Sequence, residues 1–237
     1  MIQYENAVKA ASVSGQRIRG VHFTFAATAA IEVLIQAAQL QFIYIDGEHG
    51  CFDWRDIEAA CITGERHGAT VIARVPDPSP ATITRFLDRG VRGIVVPHIE
   101  TVEEAAGVVQ STYFPPLGNR SFGGTRPEYG MLPDRPRHMA QANSSVSLCI
   151  MIETRAALED AERLAAVEGV DYLSYGMMDL SQSLGHPGQP GHPEVQRAVT
   201  DASERIRRAG KRVREDFMTY AWINELLVAG ARQLLKP

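Results

Sequence analysis

Residues 86–97, FLDRGVRGIVVP, join the end of an amphipathic helix to a short apolar run through a glycine. Ile83, Phe86 and Leu87 recur at helical spacing before that glycine, which indicates one apolar helix face. Gly90 stands where helices commonly end, because glycine adopts the left-handed conformation of that position without a Cβ penalty. The run after it is almost wholly apolar, as in a strand buried on both faces of a parallel sheet. This stretch therefore predicts a helix that leads directly into a buried strand.

The same order of helix, glycine and strand recurs three more times, which indicates a repeated α/β architecture. The stretches and their glycines are GERHGATVIARV (64–75) with Gly68, AAVEGVDYLSYG (165–176) with Gly169, and LLVAGARQLLKP (226–237) with Gly230. The apolar runs predict up to eight strands, at about 19–25, 41–46, 70–75, 92–97, 147–152, 171–175, 211–214 and 232–235. This alternation predicts a single-domain (β/α)8 TIM barrel over residues 1–237, with an open doubly wound sheet as the alternative.

Residues 113–146 interrupt the alternation. They are rich in proline and glycine and show no sustained periodicity, so we predict one long loop rather than a linker between domains. Loops of this size in compact domains are usually functional or disordered. We therefore expect residues 113–146 to border the active site.

Composition limits the classes of protein that the sequence fits. The chain has 237 residues, of which 45% are hydrophobic and 22% charged, which is typical of a globular protein with a substantial core. A net charge of -4 with dispersed lysine and arginine argues against a nucleic-acid partner. No apolar stretch approaches the roughly 20 residues that span a bilayer, which argues against a membrane partner. Three cysteines without metal-ligand spacing and an amino terminus without a signal-peptide core predict a reduced, cytoplasmic protein.

Charged and titratable side chains gather where the predicted strands end. Because the active sites of (β/α)8 barrels lie at the carboxyl ends of the strands, these side chains are the candidates for catalysis. They are Asp46, Glu48, His49, Arg74, His98, Glu153 and Asp179. A single charged residue at a strand end is expected by chance, but five such ends, three of them with carboxylates, indicate a site.

The residue types at these strand ends suit metal-assisted chemistry on an oxygen-rich substrate. Glu153 and Asp179 can hold a hard divalent cation through carboxylate oxygens. The alternative is a structural ion pair between Glu153 and Arg155 or Arg74. Arg74 can direct its guanidinium donors at a carboxylate or a developing oxyanion. His49 suits a general base because imidazole titrates near neutral pH, although a single histidine after a strand is often only a polar residue.

The stretch GMMDLSQSLGHPGQPGHPE (176–194) is rich in glycine but has neither the GxGxxG nor the GxxxxGK[ST] spacing of a phosphate loop. It predicts a rigid loop before a helix that begins at Pro193. His186 and His192 flank this loop and are minor metal candidates, because neither is expected on the face implied for Glu153 and Asp179. No GxSxG and no CxxC motif occurs, so a serine hydrolase and a thiol redox enzyme have no positive support.

Six motifs in order along the chain resemble the HpcH/HpaI aldolase family, also called the class II pyruvate aldolases. They are IDGEHG (45–50), VIARVPD (71–77), FLDRGVRGIVVPHIETVEEA (86–105), FPPLGNRSFGG (114–124), MIETRAALEDAE (151–162) and GMMDLSQSLGHPGQPGHPEV (176–195). The likeness extends from about Gly20 to Pro237. It implies a barrel of the phosphoenolpyruvate/pyruvate-domain type that cleaves a 4-hydroxy-2-oxo acid to pyruvate and an aldehyde with Mg²⁺, Mn²⁺ or Co²⁺. It also implies a homo-oligomer, either a trimer or a hexamer.

The resemblance implies roles for the residues that match its motifs. Glu153 in IET and Asp179 in MDLS correspond to the metal ligands. Arg74 corresponds to the arginine that holds the keto oxygen and stabilises the pyruvate enolate. His49 corresponds to the catalytic base region, and Asp88 in FLDRG to the acidic partner that reaches it from a neighbouring subunit.

Other matching residues surround these. Asp46 and Glu48 correspond to supporting residues of the catalytic loop, and Gly176 lies where backbone amides hold the substrate carboxylate. Met177 and Met178 replace the Pro-Ala of the usual GPADLS motif, which predicts a reshaped carboxylate pocket or a changed loop angle.

Two histidines and the end of the chain also depart from the family pattern. His98 in VPHIET stands where the family usually has an apolar residue, and His22 in GVHF lies near the expected substrate entrance, so both are candidates for substrate recognition. The last predicted strand ends close to Pro237, so the final helix that family members commonly exchange is not expected. The alternatives are a related condensing enzyme of the citrate-forming kind, a proton-exchange or decarboxylase reaction on a 2-oxo acid, and a catalytically silent binding barrel.

Overall fold

Eight parallel strands form one sheet in the computed structural model, which describes residues 5–123 and 134–235. The strands are β1 (Ile18–Phe23), β2 (Phe42–Asp46), β3 (Thr70–Arg74), β4 (Gly93–Val96), β5 (Ser147–Ile152), β6 (Tyr172–Tyr175), β7 (Arg212–Val213) and β8 (Met218–Trp222). Their order is β7-β6-β5-β4-β3-β2-β1-β8, so the last strand pairs with the first. This order confirms the predicted (β/α)8 barrel and excludes the doubly wound alternative, in which the strand order reverses at a switch point.

Helices connect these strands and pack against them. The helices are α1 (Ala7–Ser14), α2 (Thr28–Ala38), α3 (Trp54–His67), α4 (Pro80–Asp88), α5 (Val102–Thr112), α6 (Arg135–Ser145), α7 (Arg155–Glu159), α8 (Ala161–Ala165), α9 (Met177–Ser183), α10 (Pro193–Arg208), α11 (Arg214–Phe217) and α12 (Ile223–Leu234). Within the described residues, no helix has the length and apolar character needed to cross a membrane. No ladder joins β7 to β8 in the described part of the chain, and the short helix α11 lies between them.

Alternate strand residues face two separate apolar clusters. Ile43 and Ile45 of β2 pack with the surrounding helices, whereas Phe42 and Tyr44 belong to a cluster inside the barrel. The inner cluster comprises Val8, Ala11, Ile18, Phe42, Tyr44, Ile72, Val95, Cys149, Met151, Tyr172, Phe217 and Met218. Glycine makes room for it, because a Cβ at Gly20 would lie 2.5 Å from the Phe42 ring. The barrel interior is therefore filled, and the polar side chains collect above it at the carboxyl ends of the strands.

Two of the four predicted helix-ending glycines are confirmed. Gly68 and Gly90 follow α3 and α4 with φ angles of 80° and 102°, in the left-handed region. Gly169 also has a left-handed φ, of 95°, but α8 has already ended at Ala165, so Gly169 lies in the turn before β6. The prediction that Gly230 ends a helix is wrong, because Gly230 lies within α12. The strand predicted at 232–235 is likewise wrong, since the eighth strand is Met218–Trp222.

A helix therefore follows the last strand, contrary to the expectation that none would. The Trp222 N–H donates to Glu225 Oε2 at 3.1 Å and caps the start of α12. The residues after it are mostly good helix formers, and one glycine within a helix costs only about 1 kcal/mol. The prediction from Gly230 therefore failed because residues 218–222, and not residues 232–235, pair with β1.

The predicted loop 113–146 contains a helix. Residues 135–145 form α6, with the Asp134 side chain accepting the Arg137 N–H at 3.0 Å. Pro136 lies in the first turn, where its missing N–H would have had no helical partner. Pro136 therefore marks the start of a helix and not a loop. Residues 124–133 of the predicted loop lie outside the described residues.

Candidate active site

Asp46 and Arg74 form a buried ion pair at the ends of two neighbouring strands. They are register partners on β2 and β3, and Arg74 donates from Nε to Asp46 Oδ1 at 3.1 Å and from Nη2 to Oδ2 at 2.7 Å. Asp46 Oδ1 also accepts the backbone N–H groups of Glu48 at 3.2 Å and His49 at 3.1 Å. Burial would raise the pKa of Asp46, but contacts with His22, Arg74 and the His49 N–H hold it well below its usual range. The carboxylate thus fixes the orientation of the Arg74 fork.

Glu48 extends this pair towards the opposite side of the barrel mouth. Its Oε2 lies 3.1 Å from Arg74 Nη1, and its Oε1 lies 2.9 Å from His98 Nε2. Glu48 therefore lies between a guanidinium and an imidazole, and Arg74 is in contact with two carboxylates at once.

His98 connects Glu48 to Glu153. Its backbone N–H donates to Glu153 Oε2 at 3.0 Å, and its Nδ1 lies 3.4 Å from the same oxygen. The residue has a φ of 60°, in the left-handed region that is unfavourable for a side chain with a Cβ. Backbone strain at this point is retained because both the N–H and the ring of His98 contact carboxylates.

Glu153 is a buried carboxylate without a strong cationic partner. It directly follows β5, and only 3% of its surface is exposed. Burial raises the pKa of Glu153, with the His98 N–H and ring opposing and the charges of Glu48 and Asp179 adding to the rise. No lysine or arginine among the described residues lies within ion-pair distance of it, so the alternative pairing with Arg155 or Arg74 is not observed.

Gly176 and Asp179, which follow the next strand β6, border Glu153. A Cβ at Gly176 would lie 2.3 Å from Glu153 Oε1, so only glycine allows this approach. Asp179 lies exposed in the first turn of α9, where its charge influences Glu153. Two carboxylates of this kind suit a hard divalent cation, and the missing positive charge beside buried Glu153 fits such an ion.

The amide assigned to the substrate carboxylate is not free in this structure. The Gly176 N–H donates to the Ile152 carbonyl at 3.0 Å. The N–H groups that follow it at the start of α9 have no side-chain cap. Met177 packs against the core, whereas the Met178 side chain is largely exposed. The replacement of Pro-Ala therefore places one methionine inside and one at the surface.

His49 and Asp88 do not meet within one chain. The His49 ring is 67% exposed, and its Nε2 lies 3.9 Å from Glu48 Oε2. Asp88 ends α4, and its carboxylate accepts from Arg120 Nη2 at 2.7 Å. The contact implied between a neighbouring subunit's Asp88 and His49 stays a prediction.

His22 lies inside the barrel rather than at an entrance. Its ring stacks on Tyr44 at 4.2 Å and on Trp222 at 3.9 Å, measured between ring centroids. Neither ring nitrogen has a hydrogen-bond partner among the described residues, and Nε2 lies 3.7 Å from Asp46 Oδ2. Burial lowers the pKa of His22, although Asp46 opposes this. Its ring therefore lies next to the Asp46 carboxylate that orients Arg74.

Sequence reasoning missed two partners of the candidate residues. Arg120, the partner of Asp88, lay in a segment interpreted only as a loop. Trp222, which covers His22, lay outside every predicted strand, although the aromatic-rich run MTYAW (218–222) is the kind of sequence that favours a strand.

Comparison with known proteins identifies the family. The family described as HpcH/HpaI aldolase/citrate lyase matches residues 19–233. The chain belongs to this family. Its name describes carbon–carbon lyases, and divalent-metal dependence is typical of the HpcH/HpaI family.

Individual HpcH/HpaI relatives agree with this assignment. A 4-hydroxy-2-oxovalerate aldolase of Rhodococcus jostii is 36% identical over 87% of this chain and 79% of its own length. A solved HpcH/HpaI aldolase/citrate lyase family protein of Burkholderia cenocepacia has 28% identity and a TM-score of 0.88, with 98% of each chain covered. A solved citrate synthase has 27% identity and a TM-score of 0.81, with 96% of this chain and 95% of its own covered.

Proposed function

We propose that this chain is a divalent-metal-dependent aldolase that cleaves a 4-hydroxy-2-oxo acid, reversibly, to pyruvate or a close 2-oxo acid and an aldehyde. The observation that carries the proposal is the meeting, at one barrel end, of an arginine oriented by Asp46 and a buried Glu153 without a cation. Family membership and the aldolase relative support the same reaction class.

Arg74 stabilises the enolate in this proposal. Retro-aldol cleavage leaves the electrons of the broken C3–C4 bond on the oxygen of a pyruvate enolate. A guanidinium held in place by Asp46 needs little reorganisation to face that oxygen, which is how fixed donors lower the energy of a developing oxyanion. Asp46 is then a positioning residue whose effect passes through Arg74.

His49 is the proposed base. Directly or through water, its ring removes the proton from the 4-hydroxyl, the C3–C4 bond breaks, and the aldehyde leaves. Protonation of the enolate at C3 then gives pyruvate. The exposure of the His49 ring leaves it accessible to Asp88 of a neighbouring subunit, which would orient the imidazole as this chain's own Asp88 does not.

Glu153 and Asp179 are the residues that would hold the divalent cation. An ion there supplies Lewis-acid polarisation of the substrate oxygens. The Met177 and Met178 amides at the start of α9 would face the substrate carboxylate, with Gly176 giving Glu153 its space. Mg²⁺, Mn²⁺ and Co²⁺ are the candidate ions.

The far end of the substrate contacts a different part of the site. His98 borders Glu48 and Glu153 with an exposed ring, which suits recognition of the aldehyde portion. His22, inside the barrel, would influence the substrate through its contact with Asp46. The protein would form a single barrel domain in a cytoplasmic homo-oligomer of three or six chains. Because residues 113–123 and 134–146 join the end of α5 to the start of β5, at the amino ends of the strands, they would border the active site of a neighbouring subunit rather than their own.

Proton exchange on pyruvate tests the proposal without knowledge of the aldehyde. The protein is incubated with pyruvate in D₂O, and loss of the methyl signal is followed by proton NMR with Mg²⁺ or Mn²⁺ and with EDTA. We expect metal-dependent exchange that Arg74→Ala and Glu153→Ala abolish, while the exposed-site controls Arg163→Ala and Glu159→Gln retain it. Exchange that persists in EDTA or in both site variants would refute the proposed mechanism.

A condensing enzyme is the second candidate, favoured by the likeness to a citrate synthase. It would use the same enolate against a 2-oxo acid acceptor instead of an aldehyde. Mass spectrometry of products from pyruvate with a panel of aldehydes and of 2-oxo acids distinguishes the two. Ligand binding without exchange or product would indicate a silent binding barrel.

A further inference from the structure

A second group of metal-ligating side chains lies on the loop between α9 and α10, outside the candidate active site. It consists of His186, His192 and Glu194, which each offer one ligand atom, all within 4.8 Å of one another. Among the described residues it is the one group of three or more histidine, cysteine or acidic side chains gathered so closely. None of the three takes part in the proposed aldol chemistry.

The three side chains are already in contact. The two imidazoles stack with ring centroids 3.6 Å apart and an interplanar angle of 16°. His186 Nε2 lies 2.9 Å from Glu194 Oε2, and His192 Nδ1 accepts the Glu194 N–H at 3.3 Å. A second imidazole beside a histidine–carboxylate pair distinguishes this group from His67 and Glu32, which form a similar pair at 3.1 Å.

The loop that carries the group is held by backbone hydrogen bonds. The His186 N–H donates to Ser181 O at 2.8 Å, and the His192 N–H donates to Gln189 O at 2.9 Å. Gly185 and Gly188 supply the positive φ angles of 92° and 71° that the turns require. The two imidazoles are thus brought together by a defined backbone, which lowers the entropy that a ligand must remove on binding.

We infer that His186, His192 and Glu194 bind one transition-metal ion such as Zn²⁺. Two imidazole nitrogens with one carboxylate suit Zn²⁺, Ni²⁺ or Cu²⁺, whereas the all-carboxylate pair Glu153 and Asp179 suits harder ions. Zinc bonds of about 2.0–2.1 Å in a tetrahedron bring ligand atoms to about 3.3 Å from one another. The required movement from the observed spacing is a side-chain rotation, which the exposed Glu194 can make towards the two half-buried imidazoles. A fourth position stays open to water.

Zinc titration of tag-free protein against a chromophoric chelator tests this site. Glu153→Gln serves as the background, because it weakens the proposed active-site ion without touching the loop. Two variants are made in this Glu153→Gln background. His186→Phe keeps a ring in the stack, and His192→Asn keeps a side chain able to cap α10. His67→Asn is the matched control, and circular dichroism checks the folding of each variant.

We expect the background protein to bind one Zn²⁺ and each loop variant to bind it roughly tenfold more weakly or worse. The His67→Asn variant should bind as the background does. Paramagnetic resonance of bound Cu²⁺ should report two coordinated imidazole nitrogens, and one in each loop variant. A background protein that binds no Zn²⁺, or loop variants that bind it unchanged, would overturn the inference whatever the outcome of the pyruvate experiment.

Discussion

The two halves of the candidate active site differ in how their charges are compensated. In one half, the Asp46 carboxylate is paired with Arg74 and accepts two backbone N–H groups. In the other half, Glu153 is similarly buried but has only the N–H and ring of His98 beside it. Burial opposes ionisation in both, yet the pKa is lowered at Asp46 and raised at Glu153. Because both carboxylates are buried, the difference between their pKa shifts comes from their hydrogen-bonding and charged partners.

This difference indicates that the two halves have separate functions. The half with Asp46 and Arg74 is suited to hold one fixed geometry, because each group is held by its partner. A buried carboxylate without a cation costs stability and is expected where a ligand supplies the missing charge. Glu48 and His98 join the halves, so a change in one can reach the other. Four experiments separate these functions.

Removing the Asp46 charge should have the largest effect on folding. Asp46→Asn leaves the buried Arg74 guanidinium with Glu48 as its remaining anion, and breaking a buried pair from one side typically costs about 3–5 kcal/mol. Urea denaturation should show a fall of that order in the free energy of unfolding. Asp160→Asn, which breaks an exposed pair with Arg163, should cost less than about 1 kcal/mol. Equal losses would mean that the Asp46 half is not held by buried charge.

Supplying the missing charge to the Glu153 half should stabilise the protein. Mg²⁺ or Mn²⁺ at about a hundred times its dissociation constant should add about 2.7 kcal/mol to the free energy of unfolding. Glu153→Gln should lose this response, while being no less stable than the wild type in EDTA because it removes a desolvated charge. Glu159→Gln should respond as the wild type does. A full response in Glu153→Gln would place the ion elsewhere.

Acid should weaken the Asp46 half selectively. Because the pKa of Asp46 is lower in the folded chain, its contribution is fully present above the unfolded pKa of about 3.9 and is lost as pH falls through the folded pKa. The free energy of unfolding of the wild type should therefore decline as pH drops below about 4. The decline should be shallower in Asp46→Asn. Parallel pH profiles would show that Asp46 titrates alike in both states.

Substitution of His98, which joins the two halves, should give the smallest change in the free energy of unfolding. His98→Gly relieves the positive φ, whereas His98→Ala keeps it, so the glycine variant should be more stable by about 1 kcal/mol. Both variants lose the imidazole contact with Glu48, which also contacts Arg74, so both should exchange pyruvate protons more slowly than the wild type. Gln39→Gly, at a φ of 50° outside the site, should gain stability without a change in exchange. Exchange at the wild-type rate in both His98 variants would show that His98 does not influence the enolate through Glu48.

Local signals predicted most of the fold because they depend on neighbouring residues alone. Gly68 and Gly90 end helices, and Gly169 adopts a left-handed turn, for a reason that is visible in the chain, namely the absence of a Cβ. Seven of the eight strands were predicted to within about two residues, most of them from apolar runs, since burial on both faces leaves a continuous apolar pattern. The seventh, β7, is the exception, because residues 211–214 read KRVR. The same local reasoning failed at Gly230, where pairing of residues 218–222 with β1 took the eighth strand position.

The sequence by itself determined the barrel, the family and the set of polar residues at the strand ends. Residue type and the alternation of strands and helices are sufficient for that. Only the tertiary structure decided which of those residues touch: that Arg74 contacts Asp46 and Glu48, that Asp88 contacts Arg120, and that His22 lies inside the barrel. These contacts join residues far apart in the chain, and their geometry is set by strand register and side-chain packing, which no local pattern encodes.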